Sequence, residues 1–159
     1  IGINENRILK TLKNFKGLEH RLEHVLTTEN LTYINDSKST NIESVICAIE
    51  SFKHPIVLLL GGQNKQSDFR LLLPHIKVNK VKLVITYGES GGHIKTVLGD
   101  AVRSEQMEDL NSAVRKAHNL AAAGDIILLS PGCASFDEFK NFEHRGRFFK
   151  DYVNQINSL

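Results

Sequence analysis

Ile126-Ile127-Leu128-Leu129-Ser130-Pro131-Gly132-Cys133-Ala134-Ser135-Phe136-Asp137-Glu138-Phe139-Lys140-Asn141-Phe142 is the stretch on which the reading of this 159-residue chain turns. Its four leading apolar residues predict a strand buried on both faces, which delivers the small residues behind it to one edge of a sheet. A helix is expected from Phe139 to Ile156. A strand end beside a helix N-terminus offers free N–H groups and the positive end of the macrodipole, a ready place for a carboxylate or phosphate.

Outward from this stretch, the same alternation recurs. Ile56 to Leu60, closed by Gly61-Gly62, and Val81 to Thr86 are two more apolar runs of buried-strand type. Leu22 to Leu26 and Leu31 to Ile34 flank the polar Thr27-Thr28-Glu29-Asn30 and predict a hairpin. Ile42, Val45, Ile46 and Ile49 follow the capping residues Ser39-Thr40-Asn41 at helical spacing, and Leu110, Val114, Ala117, Leu120 and Ala121 mark a longer helix before Gly124. Shorter helices are expected over Ser67 to Leu73 and Gly92 to Leu98, and a short strand at Ala101-Val102. Ile8, Leu9, Leu12 and Phe15 give one face of an amphipathic helix before Gly17. The alternation predicts an α/β, Rossmann-like fold: a mixed, mostly parallel sheet of about six strands with helices on both faces.

In such sheets ligands lie beyond the carboxyl ends of the strands. Three polar clusters fall there: Asn35 to Asn41, Gly61 to Lys65, and Ser130 to Phe142. The first joins an acid, an ammonium and hydroxyls, suited to ribose, phosphate and carboxylate, and is equally compatible with a solvated, capped loop. The second lets backbone approach a ligand closely, with Lys65 reaching back; as a bare turn it needs no ligand. In the third, Ser135 can bond an oxyanion while Phe136 and Phe142 wall a pocket; Phe139, Phe148 and Phe149 are expected in the core. Gly88 to Gly92 reads as a flexible turn. Cys133 with His144 makes a poor nucleophile–base pair. His20 and His24 suggest surface or capping positions, and Arg21 is either a phosphate or ribose contact or a surface arginine. No phosphate-cradling or dinucleotide glycine motif is present.

Composition narrows the partners. A net charge of +2 gives no case for nucleic acid, and apolar runs of about five residues fall far short of the roughly 20 of a membrane span. The start Ile1-Gly2-Ile3-Asn4 has no initiator Met and no signal-peptide pattern, so the chain reads as a piece of a longer protein. Two cysteines, Cys47 and Cys133, form neither a disulfide framework nor a metal cluster, which suits reduced cytoplasmic thiols.

Four strings in order resemble the carboxy-terminal domain of the Mur ligases: Gly17-Leu18-Glu19-His20-Arg21, Tyr33 to Asn41, Leu60 to Lys65, and Leu129 to Gly146. The last of them favours the branch that adds D-glutamate. The resemblance implies a domain over 19–159 preceded by a linker and helix over 1–18, with amino-terminal and central domains elsewhere in the protein. It implies an ATP-dependent ligase that joins D-glutamate to UDP-N-acetylmuramoyl-L-alanine through an acyl phosphate in peptidoglycan synthesis. Arg21, Asp36 and Lys38 would meet the nucleotide, Asp36 at the ribose. Lys38 would also stand near the developing tetrahedral centre. Thr40, Lys65, Ser135, Phe136 and Phe142 would surround D-glutamate. ATP and Mg2+ would be held mainly by the central domain, with no metal ligand in this chain. Alternatives are another amino-acid ligase of the superfamily, one that adds glutamate to folate included, or a non-catalytic nucleotide-binding module.

Overall fold

The computed structural model describes residues 2, 4–15, 17–28, 30–78 and 80–158. Its core is a six-stranded sheet in the order β1-β2-β6-β3-β4-β5. The strands are β1 (Glu23–Thr27), β2 (Leu31–Asn35), β3 (Ile56–Gly61), β4 (Val81–Tyr87), β5 (Ser104–Gln106) and β6 (Asp125–Gly132). Only β1 runs antiparallel, as the edge strand of the expected hairpin; Glu29 in its connection lies outside the described residues. The other pairings are parallel.

Side chains alternate across the pleat and so split the core in two. Ile56, Leu58 and Leu60 of β3 face α2 (Ile42–Glu50), α3 (Leu73–Val78) and α4 (Gly91–Leu98). Val57 and Leu59 face α5 (Leu110–Leu120) and α6 (Phe142–Ile156). Every residue of β3 and of β6 is buried, as continuous apolar runs require when both faces are covered. Phe149 is fully buried, with Phe139 and Phe148 packed partly against the same layer. Helix α1 (Glu5–Asn14) forms with Asn4 as its cap, yet Ile8, Leu9, Leu12 and Phe15 all stand exposed. Of the expected segment 1–18, residues Ile1, Ile3 and Lys16 lie outside the described set. Among the described residues no helix is long and apolar enough to cross a membrane.

Several boundaries differ from the sequence reading. The helix expected from Ser67 is a 3₁₀ turn at Phe69–Leu72, capped by Asp68, that runs on into α3. The strand expected at Ala101-Val102 lies at Ser104–Gln106, because a 3₁₀ turn at Gly99–Ala101 takes up the preceding residues. Helix α6 starts at Phe142 and not Phe139: Asn141 is the cap, its Oδ1 accepting from the His144 N–H at 2.8 Å. The stretch 135–141 is therefore loop, and its acids serve neighbours. The Glu89 N–H donates to Asp137 Oδ2, and the Leu110 N–H to Glu138 Oε2. The first of these bonds also fixes the turn at 88–90, where the Gly88 N–H donates to the Glu108 carbonyl and the Ser90 N–H to the Gly62 carbonyl; Gly91 and Gly92 already belong to α4.

Candidate functional site

Because β6 lies between β2 and β3, the loops that follow these three strands meet at one edge of the sheet. Backbone bonds lock them together. The Gly132 N–H donates to the Ser39 carbonyl at 2.9 Å. Gln63 and Ala134 exchange two bonds, at 2.9 and 3.0 Å. That last bridge requires Gly62: a Cβ there would lie 2.4 Å from the Ala134 carbonyl oxygen, and its φ of +120° disfavours a side chain in any case.

Two neighbouring cavities open on this edge. One, of about 370 Å³, is lined by Thr40, Lys65, Ala134, Ser135, Phe136, Asn141, Phe142 and Glu143. It gathers all five residues that sequence reasoning assigned to an amino-acid pocket, drawn from three loops and the first turn of α6. The Lys65 ammonium lies 5.0 Å from the Phe136 ring centroid, which holds it over the opening. The other cavity, of about 210 Å³, includes Arg21, Asp36, Lys38 and Ser39 in its wall. Lys38 links the two: it lines the smaller cavity, and its ammonium is 5.6 Å from the ring of Phe142 in the larger.

Asp36 is the buried anchor of the smaller cavity. Its Oδ1 accepts from the Leu22 N–H at 3.1 Å, and its Oδ2 accepts from Ser130 Oγ at 2.8 Å and from Ser39 Oγ. Burial raises its carboxyl pKa above the ordinary value, against those bonds and the charge of Arg21. Arg21 and Lys38 are exposed cations on the rim.

Two functional neighbours escaped the sequence reading. Arg145 is fully buried and, among the described residues, forms no salt bridge with a carboxylate. It donates instead to the Ser37 hydroxyl and carbonyl, and to the carbonyls of Cys133 and Ala134. It thereby ties the loop after β2 to the loop after β6. Its spacing was a usable signal, since Arg145, Phe149 and Val153 form one buried stripe of α6. His20, expected at the surface or in a cap, is 2% exposed with a φ of +65°. Its ring accepts at Nδ1 from the Asn35 amide at 3.0 Å and packs on Gly146, where a Cβ would fall 2.1 Å from Nδ1. Burial lowers its pKa.

Two other groupings are otherwise engaged. Cys133 is buried, with its thiol pKa pushed up to about 12, while His144 is exposed against Phe139. Glu19, His20 and Glu23 have metal-like spacing, but the Lys150 ammonium already bonds both carboxylates, at 2.7 and 2.9 Å.

Comparison with known proteins agrees with this architecture. The family model described as Mur ligase, glutamate ligase domain, matches residues 20–133. The UDP-N-acetylmuramoylalanine--D-glutamate ligase of Pelotomaculum thermopropionicum is 45% identical, over 96% of this chain and 34% of its own length. That of Alkaliphilus metalliredigens is 45% identical, over 98% of this chain and 34% of its own. The chain thus spans about a third of the curated relatives it matches. Among solved structures, the UDP-N-acetylmuramate-alanine ligase of Thermotoga maritima superposes with a TM-score of 0.67 at 14% identity, covering 99% of this chain and 34% of that one. E. coli FolC in complex with ADP gives 0.66 at 16%, covering 100% and 37%. A Yersinia pestis folylpolyglutamate synthase/dihydrofolate synthase complexed with AMPPNP and Mn ion gives 0.67 at 14%, covering 96% and 35%.

Proposed function

The chain belongs to the Mur ligase family, and from that premise we propose that it is the amino-acid-binding, carboxy-terminal domain of a cytoplasmic ATP-dependent ligase. The reaction proposed is addition of D-glutamate to UDP-N-acetylmuramoyl-L-alanine, the activity named for its relatives. The observation that carries this reading is the convergence of Thr40, Lys65 and Ser135 in one cavity, beside a second that carries Arg21, Asp36 and Lys38.

A dicarboxylic amino acid suits the larger cavity. Lys65 supplies an ammonium, Thr40 and Ser135 supply hydroxyls, and Phe136 and Phe142 wall the carbon chain. Charge-assisted hydrogen bonds of this kind contribute about 1.5–3 kcal/mol each. In the smaller cavity Arg21 meets the nucleotide, and Asp36, already bonded to Ser39 and Ser130, takes the ribose end of it. Lys38, between the two, stabilises negative charge as the amine attacks the activated carboxyl carbon.

ATP supplies the phosphoryl group that activates the acceptor carboxylate. The exposed cations Arg21 and Lys38 fit one side of such a ligand. Among the described residues the acid–histidine group with metal-like spacing already holds Lys150, which is no support for Mg2+ there. Mg2+ and most phosphate contacts therefore fall to the remaining two thirds of the protein, in a central domain. The UDP group falls to an amino-terminal one, and the 159 residues alone form no amide.

The test is phosphate release by the full-length protein with ATP, UDP-N-acetylmuramoyl-L-alanine, and either D- or L-glutamate. Release with D-glutamate only is the expected result. Release driven by a diamino acid in preference would assign the domain to another ligase of the family, and nucleotide binding without turnover would assign it to a non-catalytic module.

A further inference from the structure

We infer that Glu143 receives the ammonium of the amino-acid substrate, so that the cavity recognises a zwitterion carrying an extra carboxylate and not a plain dicarboxylate. The inference rests on the amino-acid reading of the larger cavity and adds to it the one charge that the reading leaves unmatched. Glutamate has two carboxylates and one ammonium. Lys65, Thr40 and Ser135 answer the carboxylates; an ammonium brought into a half-closed pocket without an acceptor loses hydration for nothing in return.

Glu143 is the single acidic residue in the wall of that cavity, and it is half-buried. Among the described residues its carboxylate makes no hydrogen bond and no ion pair, and Lys65 in the same wall has no carboxylate within ion-pair distance. Two opposite charges thus face one space of about 370 Å³ without pairing to each other, and the space is of small-ligand size. The competing acceptor, Asn141, is spent: its Oδ1 caps α6. Glu143 lies in the first turn of α6, where the helix dipole favours a negative charge.

The experiment is equilibrium binding of D-glutamate and of glutarate, which has the same carbon chain without the amine, to the full-length protein with nucleotide present. The wild type is expected to favour D-glutamate by roughly ten- to a hundredfold, the worth of one charge-assisted contact. Glu143→Gln is expected to erase that preference while binding glutarate as the wild type does. A preference undiminished in E143Q overturns the inference alone. Equal loss of both ligands in E143Q also overturns it, by assigning Glu143 to pocket shape. A wild type that binds neither ligand brings down the amino-acid reading, and the inference with it.

Discussion

Arg145 grips Ser37 twice, donating from Nε to its hydroxyl at 3.0 Å and from Nη2 to its carbonyl at 2.9 Å. The Ser37 hydroxyl in turn donates to the Phe142 carbonyl at 2.8 Å, so this pair joins the nucleotide-side loop to the wall of the amino-acid cavity. Arg145→Met takes the donor from the buried carbonyls of Ser37 and Cys133 and from the Ser37 hydroxyl, and leaves the Ala134 carbonyl with the Gln63 N–H alone. The expected cost is about 3 kcal/mol or more in urea unfolding. Arg145→Lys is expected to recover little of it, since an ammonium cannot reproduce the planar fork.

Lys65 and Lys140 separate recognition from surface charge. Lys65→Ala in the full-length protein is expected to raise the KM for D-glutamate roughly ten- to a hundredfold. Lys140→Ala removes an exposed charge outside both cavities and is expected to leave KM within about twofold. Steady-state kinetics on the two variants decides; equal effects would undo the site assignment.

Strands β3, β4 and β6 were legible because they are covered on both faces, which writes them as apolar runs; the short polar β5 was misplaced for want of such a run. The convergence of Thr40, Lys65 and Ser135 was legible too, since the loops after parallel strands share an edge. The start of α6 was not. Asp137, Glu138 and Phe139 look like a first helical turn, but the two acids are drawn off by Glu89 and Leu110 on other elements. His20 was hidden for a similar reason: its burial depends on Gly146, more than a hundred residues away in sequence.

His20 makes stability depend on pH in a known direction. Burial holds its folded pKa below the ordinary 6.5, outweighing the pull of Glu19 and Glu23. The unfolded chain therefore takes up the proton first. Its contribution is complete above pH 6.5 and is lost as pH falls through that value toward the lower folded one. His20→Asn, a residue that tolerates the positive φ, is expected to show a smaller fall in melting temperature between pH 7.5 and 5.5 (roughly the histidine range). An unchanged slope in a thermal melt series would remove His20 as the cause.

The two cysteines should differ in reactivity. Cys47 is exposed; Cys133 is buried, and its thiol resists ionisation up to about pH 12. Since the thiolate is the nucleophile, an aromatic disulfide reagent at pH 8 is expected to titrate one thiol rapidly in the native protein and two in denaturant. Rapid reaction of two thiols without denaturant would contradict the placement of Cys133.

The position of β6 has a consequence for biosynthesis. Of the six strands of the sheet it is the last in chain order, yet it seats between β2 and β3 and pairs with both. Without it, β1-β2 and β3-β4-β5 have no strand to join them, and the cavity loses the wall supplied by Ala134, Ser135 and Phe136. A stop codon before Asp125 removes the keystone rather than a tail, and the released product is a target for chaperones and proteases.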